Sequence, residues 1–148
     1  MSERKESLPR GLRNNNPLNI VLTNTTWMGQ VKNGTDKRFC QFEDAKYGWR
    51  AAFKLFHRYY YIYRLNTIEK IVSRWAPSNE NDTEAYIRTA CDLAGTARDT
   101  DLGHMAKNPV TWMKLAMAMG RVENGEAFDM QPLLDGFEIF WNEQGWRH

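Results

Sequence analysis

The chain is poor in the residues that give small proteins a ready-made scaffold or an obvious catalytic kit. Its 148 residues include only two cysteines, Cys40 and Cys91, too few for a disulfide framework and without metal-site spacing. Two buried free thiols are expected. The three histidines, His57, His104 and His148, stand apart from any Cys, Ser or Asp at nucleophile spacing. That argues against a Ser-His or Cys-His hydrolase and against a metal site. No metal and no other cofactor is expected. No apolar run approaches membrane-spanning length, and the opening MSERKESLPR lacks the apolar stretch of a secretory signal. Synthesis in a cytosol is expected, and no membrane partner. Charge of one sign is also missing: the net value is +2, and the basic residues are scattered apart from Arg4, Lys5, Arg10 and Arg13. A nucleic-acid binder would show a basic stripe, so no nucleic-acid partner is expected.

What is present fits a globular chain. Hydrophobic residues make up 42% and charged residues 26%, enough to bury one good core at this length. Aromatics reach 13%; most belong in a core, and some can line a sugar groove. Residues 1–10 read as a flexible polar arm and 11–148 as one domain. Residues 11–42 are rich in Asn, Gly and Thr, with too few periodic hydrophobes for a long helix. Asn33-Gly34 signals a turn, with a short hairpin around it.

Beyond Asp44 the pattern becomes helical. Trp49, Phe53, Phe56 and Tyr60 recur at steps of three and four, which defines one buried face. Asn66-Thr-Ile-Glu69 resembles a capping box for a helix ending before Pro77. Asp82 or Thr83 caps a helix running to Gly95. Asn108-Pro109 and Gln131-Pro132 each place Pro at a helix start. The expected fold class is mainly α, with a loop-rich first third.

The segment Arg10-Gly-Leu-Arg-Asn-Asn-Asn-Pro-Leu-Asn-Ile20 carries the strongest signal. Asn side chains hold tight turns, so a well-fixed loop is one reading of Asn14, Asn15, Asn16 and Asn19. Their amides also match sugar hydroxyls and N-acetyl groups, so substrate contact is the other. With Trp27-Met-Gly29, Phe39-Cys-Gln-Phe42 and the run to Gly48-Trp-Arg-Ala51, this string resembles the opening of a family of phage and prophage lysozyme-like proteins. Trp75-Ala-Pro-Ser-Asn-Glu-Asn-Asp-Thr-Glu-Ala-Tyr86 and Arg121-Val-Glu-Asn-Gly125 are similar to its later blocks. The resemblance spans residues 10–128. It implies degradation of bacterial peptidoglycan in association with the virion or with lysis. Peptidoglycan is then the implied partner, with other virion proteins beside it, and the site of action is the virion or the cell wall. The Asn-rich stretch is also similar to one in bacterial glucosaminidases, where the catalytic Glu lies upstream, as it does in lytic transglycosylases.

That order is broken here, because only Glu3 and Glu6 precede Asn14. A Glu in a comparable setting comes late, in Glu123-Asn-Gly125, at the end of the apolar helix through Trp112–Met119. This suits a circularly permuted lysozyme-like fold in which the Glu helix comes last. A carboxyl half-buried at such a helix end is disfavoured as the anion by desolvation and by the helix dipole, which suits a general acid for a glycosidic bond. Glu123 is the candidate catalytic acid, against a plain helix-end Glu near Arg121. Glu43 is a weaker second carboxylate, beside Asp44, which reads as an N-cap. Trp27, Trp75 and Tyr86 are candidate sugar-stacking rings, with the core as their alternative role. Tyr86 is expected to project toward Glu123. The expected activity is cleavage of the β-1,4 aminosugar backbone. A non-catalytic virion or cell-wall-binding protein and a peptidoglycan endopeptidase stand as alternatives, the last without visible machinery.

Overall fold

The computed structural model describes residues 8–146. Most of the expected polar arm, residues 1–10, and His148 therefore lie outside the described residues. Among those described, the fold is mainly α: a short α1 (Arg10–Arg13) and then α2 (Ala45–Tyr61), α3 (Ile68–Trp75), α4 (Thr83–Ala94), α5 (Pro109–Asn124) and α6 (Gln131–Gln144). The only β pairing among them is two isolated antiparallel bridges, Val21 with Phe39 and Gln30 with Phe42. These make the expected hairpin an irregular one. Its left-handed residue is Asn33, at φ 55°, an amide residue that tolerates this region.

The described residues form two compact units. One comprises those up to Phe53 and from Glu123 on; the other is Lys54–Val122.

In the first unit, the early part of α2 and the whole of α6 supply the core. Trp49, Phe53, Leu133 and Phe140 are almost fully buried. Phe53 meets Phe137 edge-on at 4.8 Å between centroids, the geometry aromatic quadrupoles favour. Arg50 closes the packing with a two-pronged ion pair to Glu143, both bonds 2.8 Å. Asp44 starts α2, its carboxylate accepting the Lys46 N–H at 3.0 Å.

In the second unit, α3 packs on α4. Ile68, Ile71 and Val72 are buried on α3, as are Ile87, Ala90 and Ala94 on α4. The α3 cap is Thr67, which accepts the Lys70 N–H, one residue later than the expected Asn66 box. Glu69 is thereby left to accept from Arg98 at 2.7 Å, and the same guanidinium reaches Glu84 at 2.7 and 2.9 Å. Asp82 caps α4. Trp112 of α5 is fully buried, and its indole donates to the Gly103 carbonyl at 2.9 Å. Trp75 is a packing residue here, edge-on to Phe56 and Tyr59. Both cysteines are free; Cys40 is buried and Cys91 half-buried.

Candidate active site

The Asn-rich segment is a knot of side-chain to backbone bonds. Asn16 is fully buried. Its amide nitrogen donates to the Ile20 and Cys40 carbonyls at 3.0 and 2.9 Å, and its oxygen accepts the Ile20 N–H. Asn15, at φ 54°, donates to the Phe42 carbonyl at 3.0 Å. Asn14 donates to Asp36 at 2.9 Å and accepts from Gln41 at 3.1 Å. All three amides tie residues 14–20 to residues 36–42, Asn15 and Asn16 by satisfying backbone groups that no sheet ladder reaches and Asn14 through side chains.

Asp36 is the centre of that knot. It takes two bonds from Arg10, each 2.8 Å, and the Arg38 and Phe39 N–H groups at 2.9 Å. The Arg10 guanidinium, first of all, and these backbone donors hold its carboxyl far below the usual carboxylate range. Sequence reasoning missed this residue: its side-chain partners, Asn14 and Arg10, lie 22 and 26 positions away, beyond any local spacing rule.

Asn19 differs from its neighbours. Its backbone is left-handed at φ 53°, and its amide nitrogen donates to Glu123 Oε1 at 2.9 Å. Glu123 is half-buried in the last turn of α5. The next residue, Asn124, is buried and donates to the Pro17 carbonyl at 2.8 Å. Gly125 follows at φ 72°, a left-handed step that turns the chain away sharply, as glycine permits. Gly11 makes the close approach possible. A Cβ there would run into Asn124 Oδ1, and would sit 3.0 Å from both Asn19 Oδ1 and the Asn16 carbonyl. Residues 11–19 and 123–125 are thereby one local structure. Asn124 and Gly11 enter the sequence reading only as members of longer motifs, with no role of their own.

The other candidates are placed separately. Glu43 is exposed, and its backbone N–H donates to the Gly29 carbonyl at 2.9 Å. Trp27 is half-buried; its backbone is tied to Gln30, while its indole N–H is buried without a hydrogen-bond partner among the described residues. Tyr86 belongs to the second unit, on the buried face of α4, with 8% of its surface exposed. Beside the Asn knot lies a cavity of about 520 Å³ whose walls include Leu12, Pro17, Trp49 and Phe128. Across residues 22–41 lies a groove of about 540 Å³. Glu123 lines neither of these two. Among the described residues no group of three or more His, Cys, Asp or Glu is placed to hold a metal ion, and no helix is long and apolar enough to cross a membrane.

No protein-family model matches the chain. It is similar to Protein P5 of Pseudoalteromonas phage PM2, 37% identical over 133 residues, which covers 87% of this chain and 80% of the relative.

Proposed function

The chain belongs to the same family as Protein P5 of Pseudoalteromonas phage PM2, and from that premise we propose that it is a phage or prophage enzyme of permuted lysozyme-like fold, cleaving the β-1,4 aminosugar backbone of peptidoglycan. The observation that carries this reading is the 2.9 Å bond from Asn19 to Glu123 across 104 positions of sequence. A permuted order requires the Asn-rich opening and the late Glu helix to meet, and this contact meets that requirement.

In the proposed mechanism Glu123 protonates the glycosidic oxygen as general acid. Asn19 is the positioning residue: a donor on Oε1 fixes the plane of the carboxyl. Asn14, Asn15 and Asn16 hold the loop that presents Asn19. Glu43, exposed and tied only through its backbone, is the weaker partner. A single carboxyl suffices where the substrate's own groups take part. The protein would then act from the virion or after release to the cell wall.

One observation favours a second reading, a non-catalytic virion protein that binds the wall. The amides of Asn14, Asn15 and Asn16 are spent on the fold itself, which leaves little of that segment to contact a glycan. Incubation of the purified protein with purified peptidoglycan, followed by mass analysis of the released fragments, separates the two. Glycan-chain fragments support the enzyme. Intact sacculi that carry the protein down on sedimentation support the binder.

A further inference from the structure

In the second unit, the chain leaving α2 builds a cavity of about 450 Å³ lined by Tyr60, Tyr61, Arg64, Asn66 and His104. That volume lies in the range of small-ligand pockets. Its two tyrosines are held rigidly. Tyr60 stands edge-on to the buried Trp112 at 5.5 Å and 89°. The Tyr61 hydroxyl accepts the Met105 N–H at 3.2 Å, and His57 lies 4.5 Å from the Tyr61 ring. His104 closes the group, 5.5 Å from Tyr60 and 5.8 Å from Tyr61.

Arg64 is the feature a packing role does not explain. It is exposed, and its guanidinium has no ion pair, hydrogen bond or ring contact among the described residues. Its backbone sits at φ 60°, a region that costs a residue with a side chain free energy and that tends to persist where function requires it. Two other arginines of this unit are engaged: Arg74 lies over Tyr63 at 4.0 Å, and Arg98 is paired twice.

We propose that this cavity binds an acidic aminosugar, a pyranose bearing a carboxylate, as a wall-anchoring site apart from the catalytic residues. Rigid tyrosines match the apolar face of a sugar ring. Asn66 and His104 offer donors and acceptors for hydroxyls and an acetamide. Arg64 matches a carboxylate through its planar fork. Asp101, which lies near Tyr60 but does not line the cavity, disfavours an anion on that side, so the carboxylate is assigned to the Arg64 end. The choice of a wall sugar rests on the proposed function; the chemistry of the cavity does not.

The test is an NMR titration of the full chain with N-acetylmuramic acid, with its dipeptide conjugate and with neutral N-acetylglucosamine. The His104, Tyr60 and Tyr61 ring signals should move with either acid, at an affinity on the order of tenfold above the neutral sugar, the scale of one charge-assisted bond. Which acid binds better tells whether the sugar's own carboxylate or the peptide's is read. Arg64→Gln should erase the preference while leaving the melting temperature near that of the unaltered protein, and Glu123→Gln should leave it intact. Equal binding of acid and neutral sugar, signals that do not move, or a preference that survives Arg64→Gln would each overturn the proposal. Peptidoglycan cleavage by a chain that fails this titration would leave the catalytic reading standing alone.

Discussion

Asp36 shows how one side chain holds a segment that has no secondary structure to hold it. Because its carboxyl is depressed in the folded protein, its contribution is fully present above the unfolded pKa of about 3.9 and is lost as pH falls below that toward the folded value. Asp36→Asn should therefore flatten the acid limb of the stability-against-pH curve, read by circular dichroism between about pH 5 and 2. An unchanged acid limb would show that Arg10 and Asp36 do not matter to the fold. Gly11→Ala tests the neighbouring close approach. The added methyl must displace Asn124 or Asn19, at about 1–3 kcal/mol, the usual cost of overpacking. If Asn19 orients Glu123, activity should fall further than stability accounts for. A variant as stable and active as the parent would contradict the packing described at Gly11.

At the level of elements, what was legible in the sequence was local. Pro109 and Pro132 marked helix starts, Asp82 marked a cap, and the three- and four-step spacing of Trp49, Phe53 and Phe56 gave the buried face of α2. These signals act within a turn or two of chain. The reading slipped where two local signals competed: Asn66 and Thr67 both suit an N-cap, and Thr67 takes the position. What was not legible was which distant segment each Asn of the opening would serve. Asn14, Asn15 and Asn16 bond to residues 20–42, and only Asn19 reaches Glu123. Residue type predicted a fixed loop or a sugar contact, but not the allocation among four similar side chains. The caps themselves are testable: Thr67→Ala and Asp82→Ala should each lower stability by about 1 kcal/mol, seen as a lower denaturant midpoint with unchanged slope. A midpoint shift below a few tenths of that would mean the α3 and α4 starts are held by packing alone.

For the whole molecule, family membership and the fold bear on different parts of the account. The relationship to Protein P5 places the chain in a phage protein family, and the helices establish a mainly α protein. Neither fixes the proposed chemistry, whose support is the carboxyl at the end of α5 and the asparagine that donates to it. The most direct measurement is the clearing of purified peptidoglycan by the unaltered protein and by Glu123→Gln, with melting curves taken on both. The Gln side chain keeps shape and polarity and still accepts from Asn19, but it has no proton to give. The account predicts that the unaltered protein clears the suspension, and that the variant folds and binds as before with clearing slower by about 10²–10⁴-fold, the usual worth of a positioned proton donor. Clearing by the variant at the parent's rate would contradict the account and leave Glu123 a residue that only finishes a helix.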